Sequence, residues 1–301
     1  MAGTGNHRPG FPAGRISKKW TDIKRLNQMK KKATNDNRTA VHIVNKELIQ
    51  PYNPVTVNLI GAGGTGGQVL TALARMNQAL TSLNHPGLMV RVFDNDTVNR
   101  ANLGRQLFTT AELGLHKSVA LINRINRFFG TNWKAIPERY DKQYSGKGEY
   151  IGATITIGCV DTIQARAEIA QILKTVHNQT GNSRSQPLYY MDFGNSRDTG
   201  QVILSTIGKV SQPASKQYRT VEILPMVMDE FGQLLIASET TDNTPSCSLA
   251  EALTKQDLFI NSALANVGAS LLWQLFREGI LFNRGFFLNL KEFKTQPLKV
   301  A

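Results

Sequence analysis

Val55-Thr-Val-Asn-Leu-Ile60 runs directly into Gly61-Ala-Gly-Gly-Thr-Gly-Gly67, and then into apolar residues at helical spacing: Val69, Leu70, Leu73, Met76 and Leu80. A strand, a glycine turn and a helix in that order commit this stretch to the start of a βαβ unit. Gly61, Gly63 and Gly66 fall on the G-x-G-x-x-G spacing. Glycine permits the tight turn and lets the backbone approach phosphates, while the helix that follows offers unpaired N–H groups and the positive end of its dipole. Leu88-Met-Val-Arg-Val-Phe93 reads as a second strand ending at Asp94, where a carboxylate accepts hydrogen bonds from ribose hydroxyls. The loop alone does not separate NAD from ATP, so hydride transfer stays open on these residues.

The alternation continues down the chain. His116 to Phe129 reads as a helix with Val119, Ile122, Ile125 and Phe129 on one face. Ala153 to Cys159 reads as a buried strand, Thr162 to Val176 as a helix and Pro187 to Phe193 as a further strand. From Gln201 to Leu235, two-residue alternation and the turn signal Asp229-Glu-Phe-Gly232 predict antiparallel strands. Leu249 to Phe276 reads as largely helical with a break near Gly268, and Phe286 to Leu290 as the terminal strand. The expected fold is α/β: a Rossmann-like, doubly wound, mainly parallel sheet with antiparallel C-terminal strands and helices on both faces.

Charge divides the chain. Residues 1–32 hold nine basic residues and the single acid Asp22, which is +8 of the net +13 carried by 301 residues. The basicity therefore belongs to an N-terminal arm, drawn at residues 1–39, and the globular body to 40–301. The arm opens on glycines and prolines, and Trp20, Ile23 and Leu26 sit among its charges from Lys18 to Lys32. Such a block suits nucleic acid or another acidic surface, and equally a solubilising or subunit-packing tail. No apolar run reaches the roughly 18 residues of a membrane span, and no leader pattern is expected at the basic N-terminus. Cys159 and Cys247 are the only cysteines, too few for a four-cysteine zinc site and suited to a reducing, cytoplasmic setting. The five histidines show no metal-ligand spacing.

Further residues narrow the chemistry. Asp94-Asn-Asp96-Thr-Val98-Asn-Arg-Ala-Asn102-Leu-Gly-Arg105-Gln106 is followed by Lys117, which opens the next helix, and later by Cys159-Val-Asp161-Thr-Ile-Gln-Ala-Arg166. These blocks resemble the HesA/MoeB/ThiF family, which includes the ubiquitin-activating enzymes. Its pattern is G-x-G-G-x-G, then D-x-D-x-V-x-x-x-N-L-x-R-Q, a helix-opening lysine and C-x-D-N-x-x-x-R; Thr162 stands where the usual residue is Asn. The resemblance implies an adenylating enzyme that brings a carboxylate to the α-phosphate of ATP. Gly61, Gly63, Gly64, Gly66 and Asp94 would hold the nucleotide. Arg105 and Lys117 would stabilise charge developing on the phosphates, Asn102 and Gln106 would position them, and Asp161 would bind Mg²⁺. An arginine from a partner protomer often completes such sites; Arg38 is the candidate here. A homodimer is implied, and no structural zinc is expected.

The second step rests on Pro245-Ser246-Cys247-Ser248-Leu249, which is similar to the P-x-C-[TS]-[IL] segment around the nucleophile of ubiquitin-type activators. Ser248-Leu-Ala-Glu251 reads as a capping box, placing Cys247 just before a helix N-terminus, where a thiolate is favoured. Residues 240–249 are the candidate catalytic-cysteine loop, and Cys159, in an apolar strand, reads as inert core. The leading expectation is activation of a ubiquitin-like protein by adenylation, thioester formation on Cys247 and transfer to a conjugating-type acceptor. The chain resembles the compact bacterial ThiF-like proteins, including the component of the ParB-related ThiF-related cassette. Alternatives are a sulfur-carrier adenylyltransferase or small-molecule amidation, a nucleotide-binding scaffold that binds DNA through its arm, and an NAD-dependent oxidoreductase.

Overall fold

The computed structural model describes residues 36–141, 152–180, 186–238 and 256–301. A short strand β1 (Ala40–Ile43) and a one-turn helix α1 (Lys46–Ile49) lead into β2 (Val55–Ile60), α2 (Gly64–Ser82), β3 (Leu88–Phe93), α3 (Lys117–Phe129) and β4 (Lys134–Ile136). The chain continues through β5 (Ile155–Gly158), α4 (Ile163–Thr180), β6 (Tyr189–Asn195), β7 (Thr199–Thr206), β8 (Arg219–Thr220) and α5 (Val227–Ser238). It closes with α6 (Ile260–Arg277), β9 (Ile280–Leu281), β10 (Asn283–Asn289) and β11 (Lys294–Lys299).

Eight strands form one sheet in the order β11-β10-β7-β6-β5-β2-β3-β4. From β6 to β4 neighbours are parallel; β7, β10 and β11 add antiparallel pairs. The order reverses beside β2. The chain builds β3 and β4 on one side, then returns to lay β5 and β6 on the other. In open α/β sheets such a reversal opens a crevice at the carboxyl ends of the strands. β2 and β5 are buried along nearly their whole length, as central parallel strands covered on both faces should be. Helices lie on both faces, α2 packed along α6 and α4 against α5. β1 stands apart, between β8 and β9 in a three-stranded sheet. Among the described residues no helix is long and apolar enough to cross a membrane.

The expected strands and helices up to residue 195 are present, with ends shifted by a few residues. Three later expectations are corrected. Asp229-Glu-Phe-Gly232 is not a turn but part of α5, because Val227, Phe231 and Leu235 repeat every four residues and are all buried. Its Glu230 pairs with Arg284 of β10, which faces the same interior. Phe286 to Leu290 does not end the fold, since β11 follows and pairs with β10 along six residues. Lys294-Thr-Gln-Pro-Leu-Lys299 buries only Leu298 and so lacks an apolar signal. Finally, α6 runs unbroken through Gly268. Glycine is there for contact: a methyl group at that point would run into the Phe193 ring and lie 3.2 Å from Val202 Cγ2. Residues 1–35 of the 1–39 arm, Cys247 with its 240–249 loop and the Ser248–Glu251 cap lie outside the described residues.

Gly268→Ala therefore tests close packing against helix propensity. Propensity alone favours alanine by about 1 kcal/mol, whereas overpacking costs roughly 1–3 kcal/mol. The expected result is a lower urea midpoint with an unchanged m-value. A raised midpoint would show that α6 can move off the sheet without penalty.

Candidate nucleotide site

The carboxyl ends of β2, β3, β5 and β6 and the first turns of α2 and α6 converge on the switch point. Gly61, just after β2, has φ +92°, and a Cβ there would lie 2.5 Å from the Cys159 carbonyl oxygen. No other residue type lets β2 and β5 end so close together. A Cβ on Gly66 would collide with the Gly61 carbonyl, so the turn folds tightly onto its own helix. Gly63 differs: none of the described residues lies within 4 Å of its missing Cβ. It is the N-cap of α2, with no side chain capping the first turn. A first turn without a side-chain cap leaves its backbone N–H groups to other partners, and phosphate is one that such a turn receives.

Asp94 closes the turn from the next strand. Its Oδ2 accepts the Ala62 N–H at 2.6 Å and its Oδ1 the Asp96 N–H at 2.9 Å. Burial pushes its carboxyl up, while the Ala62 hydrogen bond and the Lys117 charge pull it the other way. Lys117 opens α3 and is almost fully buried, with its Nζ 2.8 Å from Asp96 Oδ2. The D-x-D pair therefore has divided duties. Asp94 shapes the glycine turn, and Asp96, largely exposed, holds the ammonium in place.

Arg105 and Gln106 follow a 3₁₀ turn, Arg100–Asn102, in which Asn102 Oδ1 accepts the Asn99 N–H at 2.9 Å. Asn102 is buried and shapes this turn. Gln106 is buried too, and its Oε1 has no hydrogen-bond partner among the described residues; nor has the buried Nε of Arg105. Burial lowers the Arg105 pKa, and the opposing charge of Asp161 acts against that. The structure thus brings Arg105 and Asp161 into one electrostatic neighbourhood although 56 residues separate them in sequence. Asp161 is exposed. Buried polar atoms left without partners are unusual, and here they fit a bound polar group. Among the described residues no cluster of three His, Cys, Asp or Glu could hold a metal alone. A divalent ion at Asp161 would take phosphate oxygens as further ligands, as Mg²⁺ commonly does.

Behind Asp161 sits Arg166. Its Nε is 3.0 Å from Asp192 Oδ1, and both side chains are buried. Its Nη2 donates to the carbonyls of Val160 (2.6 Å) and Phe193 (3.3 Å), and its Nη1 to that of Asp161 (3.4 Å). Tyr190 donates to Asp192 at 3.0 Å. Cys159 is half-buried beside this cluster; burial, then the Asp192 charge, push its thiol well above the ordinary range. His116 precedes α3 at an exposed position. Arg38 pairs with Asp36 at 2.7 Å.

Two contributors escaped the sequence reading, Gln256 and Asn261, both beside the first turn of α6. Arg105 Nη1 donates to Gln256 Oε1 at 2.7 Å, and Asn261 Nδ2 donates to the same oxygen at 3.0 Å. Asn261 shares the buried face of α6 with Leu264, Ala265, Gly268 and Leu272. A lone amide in that phase is the signal that could have marked it.

Breaking the Arg166–Asp192 pair from one side should be severe. Asp192→Ala leaves a buried guanidinium uncompensated, a loss of about 3–5 kcal/mol. Arg166→Met combined with Asp192→Leu should cost less than Asp192→Ala alone, measured by urea unfolding. Equal losses would mean that the carbonyl contacts, not the carboxylate, hold Arg166.

No curated protein matches the chain. Escherichia coli MccB, in a crystal structure with MccA, has 16% sequence identity and a TM-score of 0.50, over 82% of this chain and 64% of MccB. The same values hold for the E. coli MccB structure with ATP. PaaA is 14% identical with a TM-score of 0.54, over all of this chain and 78% of PaaA. The chain thus spans less than two thirds of MccB, and these likenesses concern the fold. The ThiF family model matches residues 36–255, most of the chain, and the chain belongs to the ThiF family.

Proposed function

We propose that this chain is an ATP- and Mg²⁺-dependent adenylating enzyme that activates the C-terminal carboxylate of a ubiquitin-like protein. The observation that carries the reading is that Arg105 lies close enough to Asp161 to feel its charge, in a fold whose glycine turn leads into an α2 first turn without a side-chain cap. In this reading the phosphates lie against the Gly63–Gly64 backbone, and Asp94 keeps the turn in shape. The carboxylate oxygen attacks the α-phosphorus, the bond to the β-phosphate breaks, and pyrophosphate leaves. Arg105, with Lys117 held by Asp96, stabilises the negative charge that builds on the phosphate oxygens. Mg²⁺, held by Asp161, would add positive charge at the same oxygens.

The thiolate of Cys247 then attacks the acyl carbonyl, AMP leaves, and a thioester forms for transfer to a conjugating-type acceptor. The P-S-C-S-L segment and the raised pKa of the other cysteine support that assignment. The proposal extends to a homodimer, to a cytoplasmic setting, and to membership in the compact group that includes the ParB-related cassette protein. The basic arm of residues 1–39 is proposed as a docking segment for an acidic surface, nucleic acid among the candidates. MccB has been crystallised with ATP and with MccA, so a chain of this fold can accompany both.

Calorimetry should show ATP with Mg²⁺ binding and NAD competing poorly; tight NAD binding without ATP binding would overturn the assignment. With the ubiquitin-like partner present, Arg105→Ala and Lys117→Ala should each lose pyrophosphate exchange by about 10²–10³, or roughly 2.7–4 kcal/mol. Near-normal exchange in both would place the phosphates elsewhere.

Cys247→Ala should separate the steps, keeping exchange while the reducing-agent-sensitive adduct disappears. In that variant the remaining thiol, Cys159, should alkylate slowly at neutral pH because burial holds it protonated. An adduct surviving in Cys247→Ala would sink the nucleophile assignment.

A further inference from the structure

Arg105 is tied to the glycine turn by side chains alone. Its Nη1 donates to Gln256 Oε1 (2.7 Å), and Asn261 Nδ2 donates to the same oxygen (3.0 Å). Asn261 Oδ1 in turn accepts from Thr65 Oγ1 (2.8 Å) and from Asn195 Nδ2 (3.0 Å). Thr65 is the second residue of α2, inside the glycine motif. A Cβ on Gly64 would lie 2.6 Å from Asn261 Nδ2, so this amide rests directly on the loop backbone.

The direction of every link follows from one fact. A guanidinium has only donors, so the Gln256 atom that faces it must be the oxygen. The Asn261 atom facing that oxygen must then be its NH₂ group, which turns the Asn261 oxygen toward Thr65 and Asn195. The amides cannot flip without setting donor against donor. Arg105 has five N–H donors, and the relay occupies one of its terminal nitrogens, leaving others for an anion. Asn261 is buried, so a lost partner there is not replaced by bulk water.

We propose that Gln256 and Asn261 are positioning residues for the nucleotide phosphates, holding the Arg105 cation at a fixed distance from the N-terminus of α2. This rests on the adenylation reading of the site. The two positive elements that an ATP phosphate would meet come from different parts of the fold, and α6 sets their separation. Without the relay, Arg105 would keep its charge and lose its aim, and an anion would have to order it on binding.

The test is ATP affinity with Mg²⁺ for the parent chain, Gln256→Met, Arg105→Ala and the double variant, with adenosine as a phosphate-free competitor. Gln256→Met keeps the length of the side chain and removes the acceptor. It should weaken ATP binding about tenfold, within the coupling range of contacting residues, and leave adenosine binding nearly unchanged, while the melting temperature falls modestly because Asn261 Nδ2 loses its acceptor. In the Arg105→Ala background the same change should have almost no further effect on ATP. Unchanged ATP affinity in Gln256→Met, an equal loss with Arg105 absent, or an equal loss for adenosine would each overturn the relay. A parent chain that binds no ATP would overturn the adenylation reading and the relay with it.

Discussion

The site depends on one guanidinium. Arg166 gathers the carbonyls of Val160, Asp161 and Phe193 and the Asp192 carboxylate, and so ties together the ends of β5 and β6. Parallel strands are not joined by tight turns, so nothing local fixes how their carboxyl ends lie relative to each other. Here a buried cation does so. The Asp161 loop leaves β5 under that restraint, and Gly61 of the adjoining turn is pressed against Cys159 one step away. Burial works against the charged form of Arg166, but Asp192 and its other partners outweigh it and its pKa is raised.

The parallel half was legible because its signals are local. Strand–glycine–helix, the run from Asp94 to Gln106 and the cysteine-to-arginine block each lie within a few consecutive residues, and their spacing survives folding. The D-x-D spacing could not show that Asp94 bonds the Ala62 N–H while Asp96 holds Lys117. Such division of labour is three-dimensional.

What escaped has physical reasons too. α5 resembles a hairpin because Gly232 follows two acids, but its apolar residues keep a four-residue repeat and Glu230 turns inward to Arg284. Gly268 signals a break by composition and serves contact with Phe193 instead. β11 carries almost no apolar pattern, since it covers the sheet margin with one buried leucine. Gln256 and Asn261 act on residues some 150 and 196 positions away, beyond the reach of any spacing rule.

The two margins of the large sheet have a consequence of their own. One is β4, only three residues long; the other is β11, which carries Pro297 between Lys294 and Lys299. An exposed strand invites another chain to add itself through backbone hydrogen bonds, and short edges, proline and lysine all discourage that. A second polypeptide would therefore find little purchase along either margin. Recognition is left to side chains on helices and loops, where shape and charge select the visitor and backbone pairing, which accepts almost any sequence, does not.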